Sequence, residues 1–288
     1  NEESFHAFAE KQGTAIVEQL ENIRDLQLEG LAQFYTARDQ ISTEEFQQFA
    51  RSLTRNVSVT TWAWIPAVPA AERERFEAAA RAAGYPDFAI WQRDATGQRV
   101  PASSRGMYYP VFQVAQPTRL QSVTGNDSGA EPRRLAALET TLATGLTTGT
   151  DPVTLASETA GQRGMVIYRP VFSRDDGRRL RGFVGCSVRM EQLLRAGVPA
   201  DRVPLMEIAL LHKGAPPESL ATTWNAATPP AAGRSAVRPL LAFGKIFTIT
   251  VHEGPVPARN SPLQPAGLTL LFGVVLTGTV VALTRVSL

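Results

Sequence analysis

The amino-acid sequence predicts an α+β protein, in which a long N-terminal helix precedes two tandem units of short strands and helices and then a C-terminal transmembrane helix. Three observations predict this architecture. Apolar residues recur at helical spacing through residues 1–40. Groups of short strand patterns with one or two helical patterns then occur twice, without the regular alternation that a parallel doubly wound sheet requires. Finally, residues 266–284 carry no charge and are almost entirely apolar.

The length of 288 residues suits about two domains of roughly 100–150 residues each. The pattern of elements divides the chain into four segments. Residues 1–55 contain a stalk helix and a second helix, and residues 56–172 form a membrane-distal unit. Residues 173–262 form a membrane-proximal unit, and residues 263–288 form a membrane helix.

Composition argues against several classes of function. The formal charge is only +2, from 29 basic and 27 acidic residues, whereas nucleic-acid binding requires a basic face. One cysteine, Cys186, excludes an internal disulfide and any site built from several cysteines. The three histidines do not lie at metal-ligand spacing, and no nucleophile elbow, phosphate-binding loop or dinucleotide fingerprint is present. We therefore expect no catalytic site, no metal site and no cofactor.

The first helix has an apolar stripe that contains Ile16, Leu20, Ile23, Leu26, Leu31 and Phe34. Because the helix is longer than most globular helices, it forms either a stalk or dimer seam, or a helix packed on its own domain. The following helix is predicted to begin with a capping box. Ser42 caps the helix and Glu45 completes the reciprocal hydrogen bond, while Ile41 packs on Phe46 as a hydrophobic staple.

The stretch from Tyr108 to Pro152 organises the centre of the chain. An apolar strand pattern comes first, and a Gly-Asn-Asp turn follows at residues 125–127. The next helix starts at Pro132, where a missing N–H costs little, and ends at Gly145. Its buried stripe is predicted to contain Leu135, Leu138 and Leu142. We expect this stretch to form half of a ligand pocket.

The apolar segment at residues 266–284 has the length that a bilayer core of about 30 Å requires, roughly 20 helical residues. A buried core helix is the alternative. Arg285, directly after the segment, favours a cytoplasmic far end. Asn1 is not an initiator methionine and no signal-peptide pattern follows it, which leaves room for another membrane segment before it.

Several motifs resemble, in their order and spacing, the CHASE family of extracytoplasmic sensor domains. The resemblance covers residues 55–195, with a weaker similarity to about residue 254. It depends on the motifs WAWIPAV, ERERFEAAARAAGYPDFAIW, VPASSRGMYYPVFQVAQP, GND, Pro132, Arg134, Ala137-Leu138, GFVG and MEQLL. The family occurs in histidine kinases, diguanylate cyclases and related receptors.

The resemblance implies a long helix carrying two PAS-like units, with a ligand pocket in the membrane-distal unit. It also implies a homodimeric, membrane-anchored receptor whose sensor lies in the periplasm or outside the cell. This segment would then not be an enzyme, and the cytoplasmic part would be a histidine kinase or a cyclic-di-GMP enzyme. Plant members of the family bind cytokinins, which are adenine derivatives with an apolar tail.

The resemblance also implies site residues. Thr150 matches a threonine important for hormone binding in the plant receptors, and turn capping is the alternative role. Asp127 matches a recurrent aspartate, for which capping the turn before the Pro132 helix is favoured over ligand contact. Ser128 follows as a further candidate. Ala156 and Tyr168 match positions that contact the ligand in the plant receptors.

Arg134 departs from the plant pattern, because it stands where those receptors hold the adenine ring with an aspartate. A guanidinium has donors and no acceptor, so it cannot receive the N–H of a purine. It can grip a carboxylate or phosphate with two hydrogen bonds. We therefore expect a small-molecule ligand with an acidic or acceptor-rich edge, and not a classical cytokinin. A surface arginine beside Arg133 is the alternative.

Strand alternation suggests the apolar wall of the pocket. Trp62 and Trp64 share one strand face. The opposite wall would come from Tyr109 and Val111, or else from Tyr108 and Phe112. Core packing is the alternative role for all of these aromatic residues.

Two hypotheses of function follow from the sequence. In the first, the chain is an extracytoplasmic small-molecule sensor that transmits binding across the membrane. In the second, it is a ligand-free dimerisation module that sets the spacing of helices for a cytoplasmic partner.

Overall fold

The computed structural model describes residues 2–116, 122–155, 163–175, 177, 179–196, 204–224, 229–230 and 233–253. The α-helices of this part are α1 Glu2–Glu21, α2 Glu29–Thr36, α3 Thr43–Leu53, α4 Arg73–Ala82, α5 Pro132–Thr144 and α6 Met190–Arg195. The strands are β1 Val59–Pro66, β2 Val68–Pro69, β3 Trp91–Arg93, β4 Arg99–Pro101, β5 Met107–Tyr108, β6 Gln113–Ala115, β7 Thr148–Gly149, β8 Val153–Thr154, β9 Arg163–Phe172, β10 Leu180–Val188, β11 Leu205–Leu210, β12 Glu218–Thr222, β13 Ser235–Ala242 and β14 Lys245–His252.

The N-terminal helix is continuous from α1 to α2, because a π-helical segment at Asn22–Leu28 joins them and the residues at both junctions keep right-handed helical angles. Ile23 and Leu28 are both fully buried although they lie five residues apart, which is the hydrogen-bonding interval of a π-helix. The prediction that Leu26 belongs to the apolar stripe was wrong, since this side chain is 67% exposed.

The first sheet is antiparallel, with the strand order β6-β1-β10-β9-β7 and with β8 paired beside β9. Strands β9 and β10 form a hairpin, in which Met165 lies opposite Val188. The expected unit boundary between residues 172 and 173 was therefore wrong, because it separates two strands that share backbone hydrogen bonds. The strands of the second sheet begin only at Leu205, beyond α6.

Both faces of the first sheet are buried. Trp62 and Trp64 of β1 belong to the large core shared with the N-terminal helix. Ala63 and Ile65 point the other way and belong to a core with Leu138 of α5. The sheet is thus packed between the long helix on one side and α5 on the other, so every strand residue faces one of two different environments.

The second sheet has the order β12-β11-β14-β13. It contacts the first sheet through the turn between β13 and β14, where the backbone N–H of Gly149 donates to the carbonyl of Phe243 at 2.9 Å. Phe243 is buried and has a φ of 52°. Next to this contact, Nζ of Lys245 lies 2.6 Å from a carboxylate oxygen of Asp151.

The predicted helix ends are confirmed at several positions. Ser42 accepts from the backbone N–H of Glu45 at 3.2 Å, and the Glu45 carboxylate accepts from the N–H of Ser42 at 2.9 Å. Pro132 occupies the first turn of α5, and Gly145 ends this helix with a φ of 71°. Local capping chemistry therefore determines where these helices begin and end.

Replacing Ser42 with alanine is expected to destabilise the domain by about 1 kcal/mol, because the N–H of Glu45 loses its acceptor. Thermal unfolding monitored by circular dichroism measures this effect. The matched control is Ser52→Ala near the other end of α3, where the exposed hydroxyl only donates back to the Phe49 carbonyl. Equal stability of the two variants would contradict a role for the capping box.

The fold is thus a mixed helix-and-sheet architecture with a long N-terminal helix, as predicted. The PAS-like character of the two units stays a prediction. The predicted membrane helix at residues 263–288 lies outside the described residues. Among the residues that are described, no helix is both long enough and apolar enough to cross a bilayer.

Candidate functional site

A small cavity of about 30 Å³ lies between the first sheet and α5. The sheet provides its floor from β1, β9 and β10, and the turn before α5 provides much of its opposite wall. The lining residues are Thr61, Ala63, Ile65, Val111, Val123, Asn126, Ser128, Arg134, Val166, Tyr168, Gly185, Cys186 and Ser187. Apolar surface with a few polar groups is the usual composition of a ligand site.

Small residues on the floor create this space. Ala63 of β1 lies opposite Gly185 of β10, which in turn lies opposite Tyr168 of β9. A Cβ atom added at Gly185 would lie 3.2 Å from both Ile65 and Tyr168 side-chain atoms. Ala63 therefore leaves room above the sheet, whereas the side chains of Ile65 and Tyr168 closely approach Gly185.

Arg134 is the charged group of the cavity. It lies on the first turn of α5, where its backbone N–H donates to the Glu131 carboxylate at 2.9 Å. Its side chain is buried, with 8% of the residue exposed, and Nη2 donates to the Thr154 carbonyl at 3.2 Å. Nε has no hydrogen-bond partner, and among the described residues no carboxylate forms an ion pair with this guanidinium. Arg133, by contrast, is exposed.

Tyr168 brings a second unpaired polar atom to the cavity. The residue is fully buried and its hydroxyl has no partner with hydrogen-bond geometry, although the Ser128 side chain lies close enough to influence it. Burial raises the pKa of Tyr168, and the nearby Arg134 and Ser128 oppose this shift. The hydroxyl therefore stays protonated and can donate a hydrogen bond. Buried polar groups normally have partners, so two orphaned donors at one cavity call for an acceptor between them.

Asp127 lies beside the cavity but does not line it. One carboxylate oxygen accepts from the backbone N–H groups of Tyr109 at 2.9 Å and Gly129 at 3.0 Å. The other lies 3.2 Å from Nε of Arg105. Burial raises the pKa of Asp127, while these hydrogen bonds and the positive charge of Arg105 oppose the shift. These contacts support the capping role favoured for this residue from the sequence.

Thr150 is also buried outside the cavity lining. Its hydroxyl accepts from the backbone N–H of Val166 at 3.1 Å, and its own N–H donates to the Val166 carbonyl at 2.9 Å. The side chain thus fixes the turn after β7 to a strand that forms the floor. This geometry agrees with the turn-capping alternative.

The aromatic residues predicted for the pocket wall lie elsewhere. Trp64 stacks on Tyr35 of the long helix, with ring centroids 4.2 Å apart, on the far face of the sheet. Phe112 packs in an aromatic cluster with Phe88, at a centroid distance of 5.6 Å. Tyr109 packs edge-on against Phe183 rather than on the cavity. Of the residues predicted for the wall, Val111 lines this cavity, whereas the large aromatic rings pack in the core.

Of the remaining candidates, Ser128, Arg134 and Tyr168 meet at the cavity. Ala156 lies outside the described residues. Sequence reasoning missed Ala63, Gly185 and Ser187, which form much of the floor. The GFVG motif, which includes Gly185, could have indicated the floor of the cavity. Glycine within a strand often marks a place where another group approaches closely.

A sequence model of the CHASE domain matches residues 39–221, which is more than half of the chain. The chain belongs to the CHASE domain family. It is therefore an extracytoplasmic sensor domain of a signalling receptor, and this CHASE domain is not a catalytic unit. No group of three potential metal ligands occurs within the described ranges.

Three solved structures are similar to this CHASE domain at low identity. Methyl-accepting chemotaxis protein X is 12% identical with a TM-score of 0.46, covering 88% of this chain and 99% of that one. The periplasmic sensory domain of the Campylobacter jejuni chemoreceptor Tlp1 is 8% identical with a TM-score of 0.46, covering 89% and 94%. The ligand-binding domain of the Pseudomonas aeruginosa PAO1 amino acid chemoreceptor PctC, in complex with GABA, is 13% identical with a TM-score of 0.41, covering 86% and 99%. No curated protein matches the chain.

Proposed function

We propose that this CHASE domain senses a small molecule with an acidic or acceptor-rich edge, which binds at the cavity containing Arg134. One observation carries the proposal: the Nε donor of Arg134 is buried at the cavity without a partner. A buried positive charge is costly unless an anion accompanies it. A bound acid would supply that anion and complete the hydrogen bonding of the guanidinium.

The same chemistry argues against adenine-type cytokinins. Arginine offers donors only, so it cannot accept the N–H groups on the edge of an adenine ring. Asp127 is the nearest family aspartate, and both of its oxygens already face backbone N–H groups or Arg105. Arg134, the charged residue that lines the cavity, is therefore better suited to an acceptor than to a purine donor edge.

Strand β9 connects the cavity with the long helix. Tyr168 lines the cavity, and the next residue, Arg169, forms an ion pair with Glu29 at the start of α2. A ligand that binds one arrangement of β9 more tightly than another would shift the population of the two states by its difference in affinity. We infer that the receptor is a homodimer in the inner membrane, anchored through residues 263–288, with the sensor in the periplasm. Its cytoplasmic part would be a histidine kinase or a cyclic-di-GMP enzyme.

A thermal-shift screen of acidic metabolites tests the proposal on the full 288-residue chain in detergent micelles. A ligand present at a hundredfold excess over Kd is expected to raise the free energy of unfolding by about 2.7 kcal/mol. Arg134→Met should abolish this stabilisation, because it removes the cation and keeps much of the apolar volume.

The matched control is Arg133→Met, which changes the exposed neighbour of Arg134 on the same helical turn. This variant should keep the full ligand-induced shift. Equal shifts in wild type and Arg134→Met would refute the role of the charge. Micromolar binding of an adenine-type cytokinin by calorimetry, unaffected by Arg134→Ala, would refute the predicted ligand class.

The small size of the cavity favours a second candidate function, a ligand-free dimerisation module. A volume of about 30 Å³ is far below the roughly 300–1,000 Å³ of ordinary ligand pockets. In this case Arg134 would be accompanied by water alone. The screen separates the two functions, because the module would show no saturable shift with any compound in a broad metabolite library.

A further inference from the structure

We propose that the ligand is a short monocarboxylate of about one or two carbons, held between Nε of Arg134 and the hydroxyl of Tyr168 above Ala63 and Gly185. This inference rests on the proposed sensor function and specifies the ligand's head group and size. It follows from the donors that face the cavity, from the charge of the cavity and from its volume.

The head group follows from two donors that lack acceptors. Nη2 of Arg134 is held by the Thr154 carbonyl, which fixes the guanidinium while its Nε remains unpaired. The Tyr168 hydroxyl is the second unpaired donor, and both side chains line the same space. A carboxylate has two oxygens and accepts hydrogen bonds only, so a single group can accept from both donors.

The charge follows from the count of ionised groups. Arg134 is the only arginine or lysine that lines the cavity among the described residues, and no described carboxylate pairs with it. A monoanion therefore neutralises the site. A phosphate dianion would bring a second negative charge, which no other lining residue could balance.

The size follows from the volume and from the walls. One water requires about 10–15 Å³, so about 30 Å³ has room for two or three groups of that size. This admits a carboxylate head group with at most a one-carbon body. Ile65, Val111 and Val123 provide apolar surface for that body. A purine or a long acyl chain would collide with the sheet floor or with α5.

Ala63 and Gly185 then act as the residues that set ligand size. Each has at most one side-chain carbon, and they lie opposite each other in neighbouring strands. A leucine at position 63 would extend into the space above the floor. We expect Ala63→Leu to weaken binding of the short acid at least a hundredfold while thermal unfolding remains cooperative.

Isothermal titration calorimetry with the full chain in detergent micelles tests this inference. The probes are formate and acetate, compared with hexanoate, adenine and inorganic phosphate. Saturable binding of at least one short acid is expected, and Tyr168→Phe should weaken it at least tenfold without lowering thermal stability. Arg133→Met, outside the cavity, should bind as wild type does.

The outcomes distinguish this inference from the proposed function. Saturable binding of a larger acid that depends on Arg134, with no binding of the short acids, would overturn the size and leave the sensor function standing. Short-acid binding that is unchanged in both Tyr168→Phe and Ala63→Leu would overturn the location. Failure of every acidic metabolite to bind would overturn the inference and the proposed function together.

Discussion

Replacing Asp127 with alanine is expected to destabilise the folded domain by about 3–5 kcal/mol, which is the usual effect of removing one partner of a buried ion pair. The carboxylate is buried and accepts from the N–H groups of Tyr109 and Gly129. Its loss leaves both donors without an acceptor and Arg105 without its anion. Urea denaturation of the full chain in detergent micelles, monitored by circular dichroism, measures the change.

Asp127→Asn is the matched comparison, because an amide oxygen can still accept from the two backbone N–H groups but carries no charge for Arg105. Its loss of stability should lie clearly between those of wild type and Asp127→Ala. If Asp127→Ala were as stable as wild type, the carboxylate would have no structural role, and a direct ligand contact would regain support.

Gly125→Ala is the second large effect, with an expected loss of about 2–5 kcal/mol that combines backbone strain with overpacking. Gly125 has a φ of 84°, which residues with a Cβ rarely adopt. The added carbon would lie 2.3 Å from the Ala89 carbonyl oxygen and 2.9 Å from the Trp91 ring. Neither neighbour can retreat easily, because the N–H of Trp91 donates to the Gly125 carbonyl at 2.9 Å.

Gly97→Ala separates the two contributions to this effect. Gly97 has nearly the same φ, 82°, but nothing lies within 4 Å of the position that a Cβ would occupy. Gly97→Ala should therefore lower the free energy of unfolding by backbone strain alone, about 1–2 kcal/mol. Denaturation midpoints of the two variants measure the difference, and equal midpoints would show that the contact with Ala89 has no effect.

Local chemistry made part of this fold predictable. The capping box at Ser42 and the helix from Pro132 to Gly145 depend on residues close in sequence, so their geometry could be inferred without tertiary information. Arg134 was identified as a candidate by its position between two turn motifs, and the structure places it at the cavity with Tyr168.

The position of the cavity, the packed face of the N-terminal helix and the unit boundary depend on tertiary contacts, which the periodicity of the sequence does not reveal. Alternation shows that Ala63 and Trp64 face opposite sides of a strand, but when both sides are buried it cannot show which side has space. In the π-helical segment, Leu28 is buried and Leu26 is exposed, whereas the spacing of a regular α-helix predicted Leu26 on the packed face. The boundary at residue 172 failed because β10, which follows it, pairs both with the preceding strand β9 and with β1, far earlier in the chain.

The end of β7 and the residue after it are hydrogen-bonded to both sheets, since Thr150 pairs with Val166 while Gly149 pairs with Phe243. A Cβ at Gly149 would lie 2.8 Å from the end of the Met165 side chain and 3.2 Å from Cβ of Phe243, so these side chains pack closely over the glycine. If β9 shifts to admit a guest molecule, the tip of the β13–β14 hairpin has to follow. Such a shift would reorient β14, and with it His252, where this strand ends.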